Sequence, residues 1–153
     1  MADISLVENK IGLLIWKTSN FWQSNLRKIL LPFKISLNEY LILQSIMHLL
    51  QNNSNIYQSE IANSVGIDIS VASVTLKLLE EKKYILRLIK DDNRKKIIRI
   101  LNEGHILFNI IHPLVKKEEE KIFNKLNNET FNFINSLKLL LGKKIRIKAE
   151  KIK

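Results

Sequence analysis

The stretch QSEIANSVGIDISVASVTLKLLEEKKYI, residues 58–85, has the pattern of two short helices joined by a tight turn. Gly66 suits a left-handed residue at the end of the first helix, and Asp68 or Ser70 can cap the second. Ala62 and Gly66 are small enough to let the two helices approach closely. The stretch therefore predicts a helix-turn-helix. We expect its core to consist of Ile61, Val65, Ile67, Val74, Leu78 and Leu79.

The second of these helices, predicted over residues 70–83, carries short hydroxyl groups and a lysine near its beginning. Such side chains suit a helix that enters the major groove of DNA, where they contact base edges and phosphates. A helical hairpin that only packs inside the protein is the alternative. The residues expected to contact DNA from this helix are Ser70, Val71, Ser73, Val74 or the adjacent Thr75, and Lys77.

A basic hairpin follows the second helix. Alternating β-branched residues predict strands over 84–89 and 96–101, and they flank the turn KDDNRKK, residues 90–96, with four basic and two acidic residues. An ordinary turn needs far less charge, so this hairpin is predicted to be a wing that contacts a polyanion; a merely solvated charged face is the alternative. Arg94 would enter the minor groove, oriented by Asp92. Arg87, Lys95 and Lys96 would contact DNA beside it.

Helical periodicity dominates on both sides of this region. Apolar residues from Ile4 onward predict one long helix that ends at Pro32, and SLNE, residues 36–39, has the form of a capping box. Helical spacing returns after Gly104, with the last helix expected to begin at Asn127 or Asn128. The fold class is therefore mainly α, a winged helix-turn-helix with element order α-α-α-α-β-β-α-α. We assign 35–103 to the DNA-binding domain, with the wing at 84–101, and 1–34 and 104–153 to helical arms.

The arms carry apolar stripes that are too large for the small wing domain to cover. Burial against a second copy of the chain would remove them from water, so a homodimer is predicted; a monomer with a longer bundle is the alternative. The residues expected at the dimer interface are Ile4, Val7, Ile11, Leu114, Phe131, Ile134, Leu137 and Leu141.

The composition of the 153-residue chain agrees with a polyanionic partner. Its formal net charge is +10 and its pI about 9.8. It has no cysteine, no Gly-rich phosphate loop and no paired catalytic groups, so we expect neither an enzyme nor a bound cofactor. His105 and His112 are seven residues apart, roughly 10 Å along a helix, too far to bind one metal ion directly. No apolar run approaches the roughly 18 residues of a membrane span, so a cytoplasmic protein is expected.

Four motifs together resemble the MarR family of bacterial transcription regulators and the related SarA branch. They are SLNEY at 36–40, QSEIA at 58–62, VGIDIS at 65–70 and Asp92-Asn93-Arg94 in the basic hairpin. The resemblance implies a winged-helix homodimer whose terminal helices form an intertwined dimerisation region. Such a dimer binds pseudo-palindromic duplex DNA and is often released by small anionic or aromatic ligands. The resemblance also implies that Gln58 and Ser59 contact phosphate and that Arg94 is the wing arginine. Tyr57 stands where the family commonly has Thr, and Val74 where it commonly has a basic residue.

The sequence therefore predicts a sequence-specific double-stranded DNA-binding transcriptional regulator, a dimeric repressor relieved by a small ligand. A nucleoid-type DNA binder of low specificity is the first alternative, and a protein-interaction module that has lost DNA binding is the second. Trp22, Tyr40 and His48 are the candidates for a ligand pocket, although aromatic residues at helical spacing usually form core. No membrane partner is expected.

Overall fold

The computed structural model describes residues 10–89 and 95–143, which divide between two compact units, Met1–Lys116 and Lys117–Lys153. The predicted contact residues Ile4, Val7, Asp92 and Arg94 lie outside the described residues, as do residues 144–153. Nine helices and strands are described, together with two 3₁₀ segments at Leu31–Phe33 and Asn124–Glu129. They are α1 (Ile11–Leu30), α2 (Leu37–Leu49), β1 (Ile56–Tyr57), α3 (Gln58–Val65), α4 (Ile69–Glu81), β2 (Ile85–Ile89), β3 (Lys96–Ile100), α5 (Asn102–Phe123) and α6 (Thr130–Leu140).

The boundaries of α1 and α2 follow from local chemistry. The chain leaves α1 at Leu30 and passes through the 3₁₀ segment that contains Pro32, as the sequence predicts. The hydroxyl of Ser36 then accepts a hydrogen bond from the backbone N–H of Glu39 at 3.1 Å. The Glu39 carboxylate accepts one from the backbone N–H of Ser36 at 3.0 Å. The capping box predicted at SLNE is therefore present.

The turn between α3 and α4 has the predicted geometry. Gly66 adopts φ +75°, and its N–H and that of Ile67 both bond to the carbonyl of Ala62, at 2.9 and 3.2 Å. Nothing lies within 4 Å of the place where a Cβ of Gly66 would stand, so backbone conformation alone selects glycine here. The two helices are bent by 113° at this turn.

The predicted core of the helix pair is wrong at two positions. Val74 and Leu78 are 63% and 42% exposed, whereas the side chains that α4 buries are Ala72, Thr75, Leu76 and Leu79. The sequence of α4 is apolar on both faces, so periodicity alone does not distinguish the buried face from the exposed one. The packed face is the one whose stripe meets Ile61 and Ala62 of α3 in the common core.

The sheet contains a strand that periodicity did not reveal. Its order is β1-β3-β2, antiparallel throughout, with Ile56 opposite Ile98 and Tyr57 opposite Ile97. β1 has only two residues and exists as a strand because β3 offers it a partner, so no local pattern announces it. It ties the beginning of α3 to the base of the wing.

A single apolar core supports these elements within the first unit. Leu26 and Leu30 of α1, Leu43 and Ile46 of α2, and Ile111 of α5 are fully buried in it. Helix α5 leaves the sheet at Gly104, where a Cβ would overlap the carbonyl oxygen of Tyr84. Only glycine allows this close approach, which holds the start of α5 directly against the backbone entering β2.

In the second unit, α6 begins at Thr130 rather than at Asn127 or Asn128. Asn127 has φ +47° and ψ −120°, which interrupts helical backbone, and its carbonyl accepts a hydrogen bond from the Thr130 hydroxyl at 2.9 Å. Within the described part of this unit no side chain is buried.

No single helix among residues 10–89 and 95–143 is long and apolar enough to cross a membrane. The bent pair formed by α3 and α4 meets that criterion by length and composition only, and it packs into the core described above.

Candidate nucleic-acid interface

Helix α4 presents one face to solvent while its opposite face is held in the core. Ser70, Val71, Val74 and Lys77 are exposed, and Ser73 is half-buried. Thr75 is buried, and its hydroxyl donates to the carbonyl of Val71 at 2.8 Å. Of the two alternatives at this point of the helix, the structure exposes Val74 and not Thr75. The five residues predicted to contact DNA from this helix thus remain accessible along one element.

A shallow cavity of about 450 Å³ adjoins the start of α4. It brings together three separate segments, the beginning of α3, the first residue of α4 and the base of the wing. Its lining residues are Tyr57, Gln58, Ser59, Glu60, Ile69, Lys95 and Lys96. Four of the residues predicted to contact DNA, Gln58, Ser59, Lys95 and Lys96, therefore share one site.

The charge of this cavity suits an anion. Lys95 places its ammonium 5.6 Å from the centre of the Tyr57 ring, a cation–π contact at the rim, and Lys96 is exposed beside it. The carboxylate of Glu60 also lines the cavity and accepts a hydrogen bond from the Tyr57 backbone N–H at 3.1 Å, and the two lysines outweigh its single negative charge. The cavity also has the hydroxyl of Ser59 and the amide of Gln58 at the N-terminus of α3. Lysines, hydroxyls, amides and helix N-termini are the groups that contact phosphate oxygens in protein–DNA complexes.

Arg87 lies apart from this site and is engaged within the protein. Its Nε and Nη2 are both 3.3 Å from Oε1 of Glu80, and its backbone N–H donates to Oε2 of the same carboxylate at 2.8 Å. The ion pair joins the end of α4 to β2. The Arg87 guanidinium is therefore bonded to Glu80 within the protein, whereas a direct contact with DNA would need it to be free.

Lys82 forms a second link that the sequence did not reveal. Its ammonium bonds both carboxylate oxygens of Glu39, at 2.8 and 3.0 Å, and the carbonyl of Lys34 at 2.8 Å. The partners are 43 residues apart in sequence, so no spacing pattern predicts the contact. It fixes the end of α4 against the beginning of α2.

A second cavity, of about 470 Å³, lies between α1, α2 and α3. Trp22 and His48 line it together with Leu41, Gln44, Ser45, Ser64 and Val65. Within the described residues the buried Ser45 hydroxyl has no hydrogen-bond partner. Tyr40, the third predicted pocket residue, lies elsewhere: it is 1% exposed in the core, and its hydroxyl is 2.9 Å from Nδ1 of His112. The structure brings two of the three candidates together.

The predicted dimer residues that are described all face solvent in the single chain. Exposure is at least 39% at Ile11, Leu114, Phe131, Ile134, Leu137 and Leu141. α1 also exposes Trp16 and α6 exposes Leu140. Each helix thus presents an apolar surface that its own unit does not cover. In the part of the chain that the structure describes, no group of three or more His, Cys, Asp or Glu residues is placed to hold a metal ion.

Comparison with known proteins gives consistent matches. The model of the MarR family matches residues 35–97. The HTH-type transcriptional regulator YdcH of Bacillus subtilis is 24% identical over 131 residues, covering 85% of this chain and 88% of that protein. The HTH-type transcriptional regulator Hpr of Bacillus cytotoxicus is 33% identical over 131 residues, covering 84% of this chain and 62% of that longer protein.

Among solved structures, S. aureus MepR in its DNA complex superimposes with a TM-score of 0.77 and 20% identity. That match covers 88% of this chain and 96% of MepR. The winged helix-turn-helix fold and the resemblance to the MarR family, both predicted from the sequence, are confirmed.

Proposed function

We propose that this chain, which resembles the MarR family over residues 35–97, is a homodimeric repressor of that family that binds double-stranded DNA sequence-specifically and is relieved by a small ligand. One observation carries the proposal. The exposed face of α4 begins beside a cavity that gathers Gln58, Ser59, Lys95 and Lys96 from two other segments. A helix that can enter the major groove thus starts next to groups suited to the flanking phosphates.

The proposed mechanism assigns separate tasks to these parts. The first half of α4 contacts base edges, because the initial residues of a recognition helix reach deepest into the groove. Lys95 and Lys96 neutralise phosphates, Gln58 and Ser59 hydrogen bond to phosphate oxygens, and these contacts set the register of the helix. Arg94 is proposed to enter the adjacent minor groove with Asp92 as its orienting partner. MepR, whose fold this chain shares, has been solved in a DNA complex.

Dimerisation is proposed through the exposed apolar faces of α1 and α6. Those faces would be buried against the same faces of a second copy, which a two-fold interface permits. A dimer would place two copies of α4 on successive major grooves, about 34 Å apart, and so select a pseudo-palindromic site.

The ligand is proposed to bind in the cavity lined by Trp22 and His48. An aromatic ring and an imidazole suit a small aromatic or anionic molecule, and the unpartnered Ser45 hydroxyl could hydrogen bond to it. Because this cavity lies between α1 and the helix-turn-helix, occupation would alter the distance between the two copies of α4. The protein is proposed to act in the bacterial cytoplasm.

A second candidate function is favoured by the net charge of +10. A nucleoid-type protein would bind DNA through counterion release alone and show little sequence preference. The affinity ratio between a selected duplex and bulk DNA distinguishes the two functions.

The decisive experiment selects binding sites from random duplexes of about 30 base pairs, long enough for two half-sites. Fluorescence anisotropy then compares the enriched duplex with a shuffled one at near-physiological salt. A preference of about a thousandfold or more supports a specific regulator. Equal and strongly salt-dependent binding supports the nucleoid-type alternative, and absence of binding overturns both.

A further inference from the structure

We infer that Val71 and Val74 read the 5-methyl groups of thymines in the major groove, so that the binding site is selected partly by apolar contact. The inference rests on the proposed function, since it requires α4 to lie in the groove.

The first support is the chemistry of the exposed face of α4. Val74 is 63% exposed and Val71 is 41% exposed, and Ile69 at the start of the helix is exposed as well. The polar groups of the same half are few. Ser70 is exposed and Ser73 half-buried, while the Thr75 hydroxyl is already bonded to the carbonyl of Val71. The face that would meet the bases is therefore mostly apolar.

The second support is the position of this face between two other surfaces. On one side Ile69 also lines the cavity that holds Lys95 and Lys96. On the other side Val71 and Val74 line a shallow groove of about 400 Å³ with Ser36 and Asn38, at the beginning of α2. An exposed apolar strip thus lies within reach of two lysines that attract a polyanion.

Duplex DNA offers a partner for both the two lysines and the apolar strip. Its phosphates match the lysines, and in its major groove the 5-methyl of thymine is an apolar group on the edge of a base pair. A valine cannot form the bidentate hydrogen bonds by which Arg, Asn or Gln select guanine or adenine. It can bury a methyl group against its own methyls, which distinguishes thymine from cytosine at that position.

The test replaces thymine by deoxyuridine, which lacks only the methyl group and keeps its base pairing. In the duplex obtained by selection, each thymine is replaced in turn and the Kd is measured by fluorescence anisotropy. We expect a loss of about fourfold for each contacted methyl, at one or two positions in each half-site. Replacements outside the half-sites provide the DNA control, because they should leave the Kd unchanged.

The Val74→Ala variant provides the second arm of the experiment. Val74 is exposed and alanine has the higher helix propensity, so the variant should fold as well as the parent, which thermal unfolding checks. Its Kd for the thymine duplex should rise, and it should lose the penalty for deoxyuridine at one position of each half-site. A duplex whose affinity is insensitive to every replacement would overturn the methyl contacts while leaving the proposed function intact.

Three other outcomes also overturn the inference. Equal deoxyuridine penalties in the parent and in both the Val71→Ala and Val74→Ala variants would assign the methyl contacts to other residues. Failure of the selection to enrich any site would remove the proposed function and the inference together. Unchanged DNA binding in both variants would show that Val71 and Val74 do not contact the bases.

Discussion

The ammonium group of Lys82 lies 2.8 Å from Oε2 of Glu39, and it joins the residue just after α4 to the first turn of α2. Glu39 is 3% exposed and also completes the capping box of α2. One carboxylate therefore serves both the start of a supporting helix and the end of the candidate recognition helix. The pair therefore links the end of α4 directly to the start of α2, in addition to the packing of α4 in the core.

Removing the Lys82 ammonium should destabilise the protein more than is usual for a lysine whose side chain is 36% exposed. Lys82→Met leaves the Glu39 carboxylate buried without its counter-charge, and we expect it to lower the free energy of unfolding by about 1–3 kcal/mol. Lys77→Met is the matched control on the exposed face of the same helix, and it should have little effect. Urea unfolding measures both. Glu39→Gln added to Lys82→Met should recover part of the loss, and equal stability of the two single variants would contradict the prediction.

The turn between α3 and α4 allows a clean test of backbone conformation. Gly66 has φ +75° with no atom within 4 Å of a Cβ, so Gly66→Ala adds strain without a clash and should cost about 1–2 kcal/mol. Gly12 lies in α1, also with open space around a Cβ. Gly12→Ala should therefore stabilise the protein by up to about 1 kcal/mol. Opposite signs in thermal unfolding are the expected result, and a stabilising Gly66→Ala would contradict it.

Lys95 and Lys96 should contribute to DNA affinity without contributing to sequence preference. Replacing both with Gln is expected to weaken binding to the selected and the shuffled duplex alike. It should also reduce the slope of log K against log salt by about one for each phosphate that a lysine no longer neutralises. Lys28→Gln, an exposed position on α1, is the control. Anisotropy titrations over a range of salt concentrations measure the slope. An unchanged slope would exclude the cavity at Lys95 and Lys96 as a phosphate site.

Arg87 and Arg94, two of the three arginines of the wing, are predicted to differ in role. Arg94→Ala should weaken DNA binding by about 1–3 kcal/mol and leave the thermal unfolding midpoint unchanged. Arg87→Ala should instead lower stability, because it leaves the Glu80 carboxylate without its bonded partner. Comparing Kd and unfolding midpoint for each variant separates the two effects. A stable Arg94→Ala protein with unaltered affinity would remove the wing tip from the proposed interface.

The sequence predicts those features whose interacting residues lie close together along the chain. The capping box at Ser36 and the left-handed Gly66 were predictable because their partners lie within a few residues. Strand β1 and the bond between Lys82 and Glu39 were missed because each depends on a partner about 40 residues away. The exposure of Val74 was obscured by the apolar residues on both faces of α4. The sequence predicts Gln58 and Lys95 separately as DNA contacts, but only the folded chain brings them into one cavity.

The terminal helix provides the test of assembly. Leu137 and Leu141 lie one turn apart at the end of α6, exposed in the single chain, and the proposed dimer would bury them. Replacing both with Glu should place two charges in an apolar interface, convert the dimer to monomer in sedimentation equilibrium and weaken binding to the palindromic duplex. Asn132→Glu on the same helix is the control for added charge. Since the monomer would retain one intact copy of α4, it should still bind a single half-site weakly. A monomer that keeps full affinity for the palindrome would contradict the assignment of α6 to the interface.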